Sequence, residues 1–316
     1  MPPSQKRDPY TAVRERANVA DDAHLFGDRQ RPTDQPIKTL CSFHYFRNFD
    51  MEQAWKDLTT PEGPPLIMAD SGAFSAMTLG TEVSIPAYAA WLKQWMPYLQ
   101  GGYATLDVIG DAVGTDRNTR EIEEVHGLSP IPVVHVGAPM STVGQLCERY
   151  PYVAVGGMVG KKGPELERWI VSTFVEAQRW GTLLHGFGQT RQTMIAKLPW
   201  YSVDSSSWGK GHRWGKIAWW NASKSKLEEQ LQRQPVPPAA AQQFRAAGVP
   251  IEVINGRGDY HWAYMPRASA WGWWQLEVYL RRRHGPIATE RAPERTPGLH
   301  LYLVDSDPTH LNGMLM

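Results

Sequence analysis

Short apolar runs ending in an acidic residue, a histidine or a glycine recur along this chain. Most are separated by stretches with apolar residues three and four positions apart. The short runs read as strands, and the three-and-four spacing reads as amphipathic helix. Strands are predicted at 38–43, 65–69, 103–109, 131–136, 152–155, 182–186, 201–204 and 251–254. A helix is predicted over 85–99, with Tyr88, Trp91, Leu92, Trp95 and Leu99 on one stripe. Further helices follow at 115–125, 141–150 and 164–180, with a short one at about 190–198. Ser141 is placed to cap its helix and Pro164 to open the next. Eight strands at this rhythm predict an α/β fold, a (β/α)8 TIM-type barrel with parallel strands and chemistry at their carboxyl ends.

The flanks lack this rhythm. Residues 1–36 are polar, rich in Arg, Asp and Pro, and read as an N-terminal arm. The barrel is expected over 37–284, elaborated at about 209–248 by a basic and aromatic insertion. That insertion is expected to hold a helix at 223–233, the stretch Pro235-Val-Pro-Pro238 and a second helix ending at Ala247. A helix over 269–283 ends in Arg281-Arg282-Arg283-His284, a cationic run that suits a helix C-terminus as well as a phosphate. Residues 285–316 are expected as a peripheral segment, with 301–304 as a ninth strand.

A length of 316 residues with 42% hydrophobic content accommodates one large barrel or two ordinary domains. The formal net charge is +1, so nucleic-acid contact would rest on local basic clusters. Cys41 and Cys147 are the only cysteines, too few for a disulfide scaffold or a zinc site built from three or four thiolates. Both are expected as reduced, buried thiols. No apolar run reaches the length of a membrane span, and Met1-Pro-Pro-Ser-Gln-Lys-Arg lacks the apolar core of a signal peptide. The expected location is therefore cytoplasmic, with no membrane partner. Nine of the fourteen tryptophans crowd 200–220 and 262–274, where they read first as core and rim packing.

On a barrel, the strand ends collect Asp70, Asp107, Asp111, His135, Gly156, Gly157, His185 and Asp204. Asp111 and Asp116 fit a loop and helix cap after the third strand, and His185 fits a buried histidine. Carboxylates and histidines in this setting fit a divalent metal. They also fit displacement at a sugar carbon, one carboxylate attacking and another moving protons. The Phe74 ring and the glycine pair favour the second, since a planar base needs a stacking surface and close backbone. Directly after Asp204, the residues Lys210, His212, Arg213, Trp214 and Lys216 interleave cations with rings, as a nucleic-acid surface or a tryptophan-packed lid would.

The ordered motifs resemble those of the tRNA-guanine transglycosylases. Asp70-Ser-Gly-Ala-Phe74-Ser is similar to that family's Asp-Ser-Gly-Gly-Phe-Gln, and Tyr152-Val-Ala-Val-Gly156-Gly157 to its Leu-Ala-Val-Gly-Gly. Leu184-His-Gly-Phe-Gly188 is similar to its Leu-Met-Gly-Val-Gly, and Tyr201-Ser-Val-Asp204 stands where the family keeps its nucleophile. The likeness spans roughly residues 65–208. It implies that Asp204 attacks C1' to form a covalent sugar-enzyme intermediate, that Asp70 takes the proton of the incoming deazaguanine, and that Phe74 stacks on the base. It further implies that Asp107 accepts from guanine N1–H and the 2-amino group, and that Gly156 and Gly157 offer backbone close to the base. His135 stands where the family has a glutamine at the O6 edge. No cofactor is implied, a 7-deazaguanine base being the co-substrate.

One departure redirects the substrate. The tRNA-modifying members carry a Cys-x-Cys-x-x-Cys and a later His, a zinc module that two distant cysteines cannot supply. Smaller members without it resemble phage-encoded paralogues that exchange guanine in DNA for a 7-deazaguanine such as preQ0. The resemblance thus implies a DNA-guanine transglycosylase, a pentosyltransferase acting in the host cytoplasm if phage-encoded. Its partner would be single-stranded DNA or a base flipped from the duplex, and a homodimer is left open. The alternatives are a tRNA-guanine transglycosylase, a non-catalytic nucleic-acid-binding homologue and a metal-dependent barrel hydrolase.

Overall fold

The computed structural model describes residues 30–210, 214–258 and 263–304. Strands β1 (Lys38–Ser42), β2 (Leu66–Asp70), β3 (Gly102–Tyr103), β4 (Val133–His135), β5 (Tyr152–Gly156), β6 (Leu183–Gly186) and β7 (Ser202–Ser205) form part of one all-parallel sheet. A hairpin of β8 (Lys216–Asn221) and β9 (Lys226–Leu231) stands apart, and β10 (His300–Val304) completes the eight-stranded sheet in the order β3-β2-β1-β10-β7-β6-β5-β4. The sheet curls until its outer strands touch at a single parallel bridge, Ala104 to Ile131, with no ladder between them. This is an α/β fold with a curled parallel sheet, the coarse architecture expected.

Strand parity builds two cores. Leu40, Met68, Val133, Tyr152, Ala154, Leu183, Tyr201 and Tyr302 pack on the concave side, so the interior is filled. Alternate positions such as Cys41, Ile67, Val153, Leu184 and Val203 face the helices. Burial on both faces explains why the strands read as nearly continuous apolar runs.

The helices in the first half are α1 (Phe43–Phe46), α2 (Met51–Asp57), α3 (Ala73–Thr78), α4 (Ile85–Trp95), α5 (Ala112–Glu124) and α6 (Met140–Arg149). The second half carries α7 (Pro164–Trp180), α8 (Gln192–Lys197), α9 (Pro238–Ala246), α10 (Ile251–Ile254) and α11 (Tyr264–His284). In α7 the signals agree: Pro164 opens it, Gly181 ends it at a positive φ of 63°, and Leu166, Ile170, Thr173 and Ala177 form its buried stripe. The cap expected at Ser141 is one place inside α6, whose N-cap is Pro139.

Four expected elements differ. Residues 251–254, predicted as the eighth strand, form α10, and their place in the sheet is taken by β10 from the segment expected to be peripheral. Pairing decides this: Leu303 lies opposite Thr39, and Tyr302 opposite Asp204. The helix predicted at 223–233 is the turn and second strand of the β8–β9 hairpin. There the side-chain amide of Gln192 accepts from Leu227 N at 2.7 Å and donates to Leu227 O at 3.3 Å, docking the hairpin against α8. The strand predicted over 103–109 shrinks to β3 because α5 side chains take over its backbone groups. Asn118 donates to Leu106 O and Thr115 accepts from Val108 N, both at 2.9 Å. The fourth difference is the short helices α1 and α2 after β1 and α3 after β2, where no helix was expected.

The tryptophans mostly fill the core, with Trp200, Trp208, Trp219, Trp271, Trp273 and Trp274 buried. Cys41 and Cys147 are buried free thiols. No described helix is long and apolar enough to cross a membrane.

At the N-terminal end of β1, Lys38 forms a fully buried ion pair with Glu277 of α11 at 2.6 Å. Removing one member of such a pair strands the other charge, so Glu277→Ala should cost about 3–5 kcal/mol, read by denaturant unfolding. The joint replacement Lys38→Met with Glu277→Leu should be far milder. Equal losses in the single and double variants would contradict this account.

Candidate active site

The carboxyl ends of β2, β4, β5, β6 and β7 place Asp70, His135, Gly156, Gly186 and Asp204 at one end of the sheet, with Asp107 just beyond β3. The turn after β2 depends on Gly72, which sits at a φ of 75° where a Cβ would come within 2.3 Å of Ser42 Oγ and 2.5 Å of His44 Cβ. Only glycine fits there. Its N–H donates to Asp70 Oδ2 at 3.1 Å, fixing the carboxyl at the strand end. Beside Asp70 in strand register, the buried Ser42 hydroxyl has no hydrogen-bond partner among the described residues.

Asp70 keeps a little surface but is enclosed by protein on most sides. Burial pushes its carboxyl up from 3.8 to about 7, opposed by the Gly72 N–H and reinforced by the charges of Asp204 and Asp107. A carboxyl that titrates near neutrality can both give and take a proton. Asp204 and Asp107 thus lie close enough for their charges to act on Asp70.

Asp204 has a different setting. It is 8% exposed, and its Oδ1 accepts from Gly188 N at 2.8 Å. His185 Nε2 lies 3.3 Å from the same oxygen, off the line of a good hydrogen bond. Oδ2 carries no hydrogen bond among the described residues. His185 is completely buried, and its Nδ1 lies 2.6 Å from Ser202 Oγ, which in turn lies 2.5 Å from the Tyr152 hydroxyl.

Asp107 and His135 form a pair: Asp107 Oδ2 lies 2.8 Å from His135 Nε2, and Asp107 Oδ1 accepts from Thr115 Oγ1 at 2.9 Å. Both carboxylate oxygens are thus engaged within the protein. Gly156 has a structural reason of its own, since a Cβ there would meet His135 Cδ2 at 3.0 Å and Val133 Cγ1 at 3.1 Å. The glycine makes room for the His135 ring. Gly157 is exposed at the end of β5, and Phe74, in the first turn of α3, is 57% exposed and free to stack on a planar group.

Of the basic and aromatic segment, Trp214 is 75% exposed and Lys216 is exposed at the start of β8, while Lys210 is paired with Glu229 at 3.1 Å. Lys210 and Lys216 line a cavity of about 300 Å³ together with Gln192, Glu228, Glu229 and Trp273. His212 and Arg213 lie outside the described residues. That cavity is not lined by Asp70 or Asp204, and neither is a second one of about 360 Å³ beside Arg295 and Tyr302. We place the candidate site at the acids, where the titration behaviour and the hydrogen bonds converge.

Asp111 caps α5, accepting from Gly114 N at 3.0 Å, and Asp116 pairs with Arg120 on the surface. The cationic end of α11 is structural: Arg281 donates to Leu299 O, Arg283 to Ala196 O, and His284 lies 2.8 Å from Ile195 O. Among the described residues, no group of three or more His, Cys, Asp or Glu is arranged to hold a metal ion.

The sequence reasoning missed Ser202, Tyr152, Thr115 and the Gly188 N–H. The available signal was parity: Ser202 is two residues before Asp204 and therefore on the same face of β7. No protein-family model matches the chain, and no curated protein matches it either.

Proposed function

We propose that this protein is a base-exchange transglycosylase built on a (β/α)8 barrel, replacing guanine in DNA with a 7-deazaguanine base through a covalent aspartyl-sugar intermediate. The observation that carries the reading is the unlike pair Asp70 and Asp204. One is a carboxyl that titrates near pH 7, and the other is a buried carboxylate with one oxygen held and one left open. The raised carboxyl of Asp70 suits proton transfer, and the free oxygen of Asp204 suits attack. The motif order in the sequence supports the same assignment.

In this reading Asp204 Oδ2 attacks C1' as the C1'–N9 bond breaks, and Asp70 supplies a proton to the departing guanine. The 7-deazaguanine then gives its own N9–H proton to the Asp70 carboxylate as its N9 attacks C1' and the bond from C1' to Asp204 breaks. Phe74 stacks on the base, and Asp107 and His135 meet its polar edge as a hydrogen-bonded pair. Exposed Trp214 and Lys216 fit contact with an unstacked strand. The lack of a Cys-x-Cys-x-x-Cys module in the sequence favours DNA over tRNA. The test is transfer of labelled preQ0 into single-stranded DNA, duplex DNA and tRNA by the full chain. Label entering DNA supports the proposal, label entering tRNA alone reassigns the substrate, and no transfer to any of the three refutes it.

A further inference from the structure

Three consecutive strands carry a line of polar side chains through the otherwise apolar interior, from Tyr152 on β5 to His185 on β6 and Ser202 and Asp204 on β7. We propose that Tyr152, Ser202 and His185 form a hydrogen-bond relay that orients the Asp204 carboxylate, which makes His185 a positioning residue for the nucleophile. This inference rests on Asp204 being the attacking group in the function proposed above.

The direction of the relay follows from its ends. Tyr152 is buried, and that burial raises its pKa above the ordinary phenol value despite the Arg295 guanidinium 4.3 Å over its ring, so it keeps its proton. Its hydroxyl donates to Ser202 Oγ, and the Ser202 hydroxyl then donates to His185 Nδ1. With Nδ1 as acceptor, the neutral ring carries its proton on Nε2, the nitrogen facing Asp204 Oδ1. The opposite direction would aim an imidazole lone pair at the carboxylate and leave the Tyr152 proton without an acceptor among the described residues. A buried polar group without a partner is costly, so the first arrangement wins.

The ring is held from both sides. Phe187 meets it edge-on at 4.5 Å between centroids, and Tyr302 lies at 6.3 Å. Gly188 N–H donates to Oδ1 and His185 Nε2–H faces the same oxygen at 3.3 Å, which leaves Oδ2 as the oxygen without a protein partner among the described residues. Second-row partners of this kind typically contribute about 10–100-fold.

The relay is tested first without catalysis. In the full chain labelled with ¹⁵N-histidine, long-range proton–nitrogen spectra should show His185, assigned by its loss in His185→Gln, as the Nε2–H tautomer. Its signal should move in both Ser202→Ala and Asp204→Asn. An Nδ1–H tautomer, or a signal indifferent to both changes, overturns the relay whatever the protein's function. In single-turnover exchange with DNA, His185→Ala should slow adduct formation about 10²-fold with DNA affinity unchanged. His185→Gln, which returns an N–H toward Asp204, should recover to within about tenfold of the parent. If His185→Ala fails to fold, Ser202→Ala carries the test, with a loss of about tenfold expected. Full-rate adduct formation in these variants overturns the proposal. Absence of any adduct in the parent protein, with the spectra as expected, instead refutes the transglycosylase reading and leaves the relay standing.

Discussion

Asp204→Asn is expected to abolish base exchange, lowering the single-turnover rate by about 10⁴-fold or more, as loss of a covalent nucleophile does. The amide keeps an oxygen for the Gly188 N–H, so the strand end should remain intact and the protein should unfold within about 1 kcal/mol of the parent. What it lacks is an anionic oxygen to bond with C1'. DNA binding should be unchanged, because affinity for a strand comes from phosphate contacts and stacking on rings. Mass spectrometry of denatured mixtures should find the DNA–protein adduct in the parent and none in the variant. Exchange surviving at more than a hundredth of the parent rate would move the nucleophile away from Asp204.

The parts of the fold that were legible are those where local and global demands coincide. Over 164–180 the opening proline, the buried stripe and the closing glycine all specify one helix, and the structure has it at those bounds. The segments 251–254 (Ile-Glu-Val-Ile) and 301–304 (Leu-Tyr-Leu-Val) are each only four residues long, too short for periodicity to separate strand from helix. Their fates were decided by pairing across the sheet, which brings 300–304 between β1 and β7 from far along the chain. At 223–233, where a helix was expected, Lys224 and Glu228 stand four residues apart, the spacing of a helical ion pair. In the hairpin the Lys224–Glu228 ion pair survives, but between a turn and a strand.

The candidate site divides along the same line. Asp70, Asp107, His135 and Asp204 could be read because each ends an apolar run, a property visible in one strand alone. The relay could not, because Tyr152, His185 and Ser202 belong to three strands, and their meeting depends on the register His185 to Ser202 and on shared inward parity. The engagement of Asp107 by His135 was hidden for the same reason, since it joins the ends of β4 and the segment after β3. Gly156 shows how a residue expected for a functional reason can carry a structural demand: its own neighbour is the His135 ring.

The pH dependence of the two half-reactions is the second large effect expected. In the proposed exchange, departure of guanine would need Asp70 protonated, and entry of the 7-deazaguanine would need it ionised. With the Asp70 carboxyl pushed up to about 7, adduct formation should fall about tenfold per pH unit above that point. Base incorporation into a preformed adduct should rise by a similar factor per unit up to it and then level. Opposite slopes from one group are the signature, measured by rapid quench from pH 5.5 to about 8.5, a range set to span that titration. Asp70→Asn should remove both slopes and lower both rates by about 10²–10⁴-fold. Stability should move the other way. Between 3.8 and about 7 the unfolded chain has lost the Asp70 proton while the folded chain retains it, so folding loses stability as pH rises through that window. The neutral amide escapes this loss, so at pH 8 Asp70→Asn should melt higher than the parent by roughly a few °C, and the difference should vanish near pH 4. Parallel slopes in the two half-reactions would place proton transfer on another group, and a lower melting temperature at pH 8 would contradict the enclosed, charge-averse setting of Asp70.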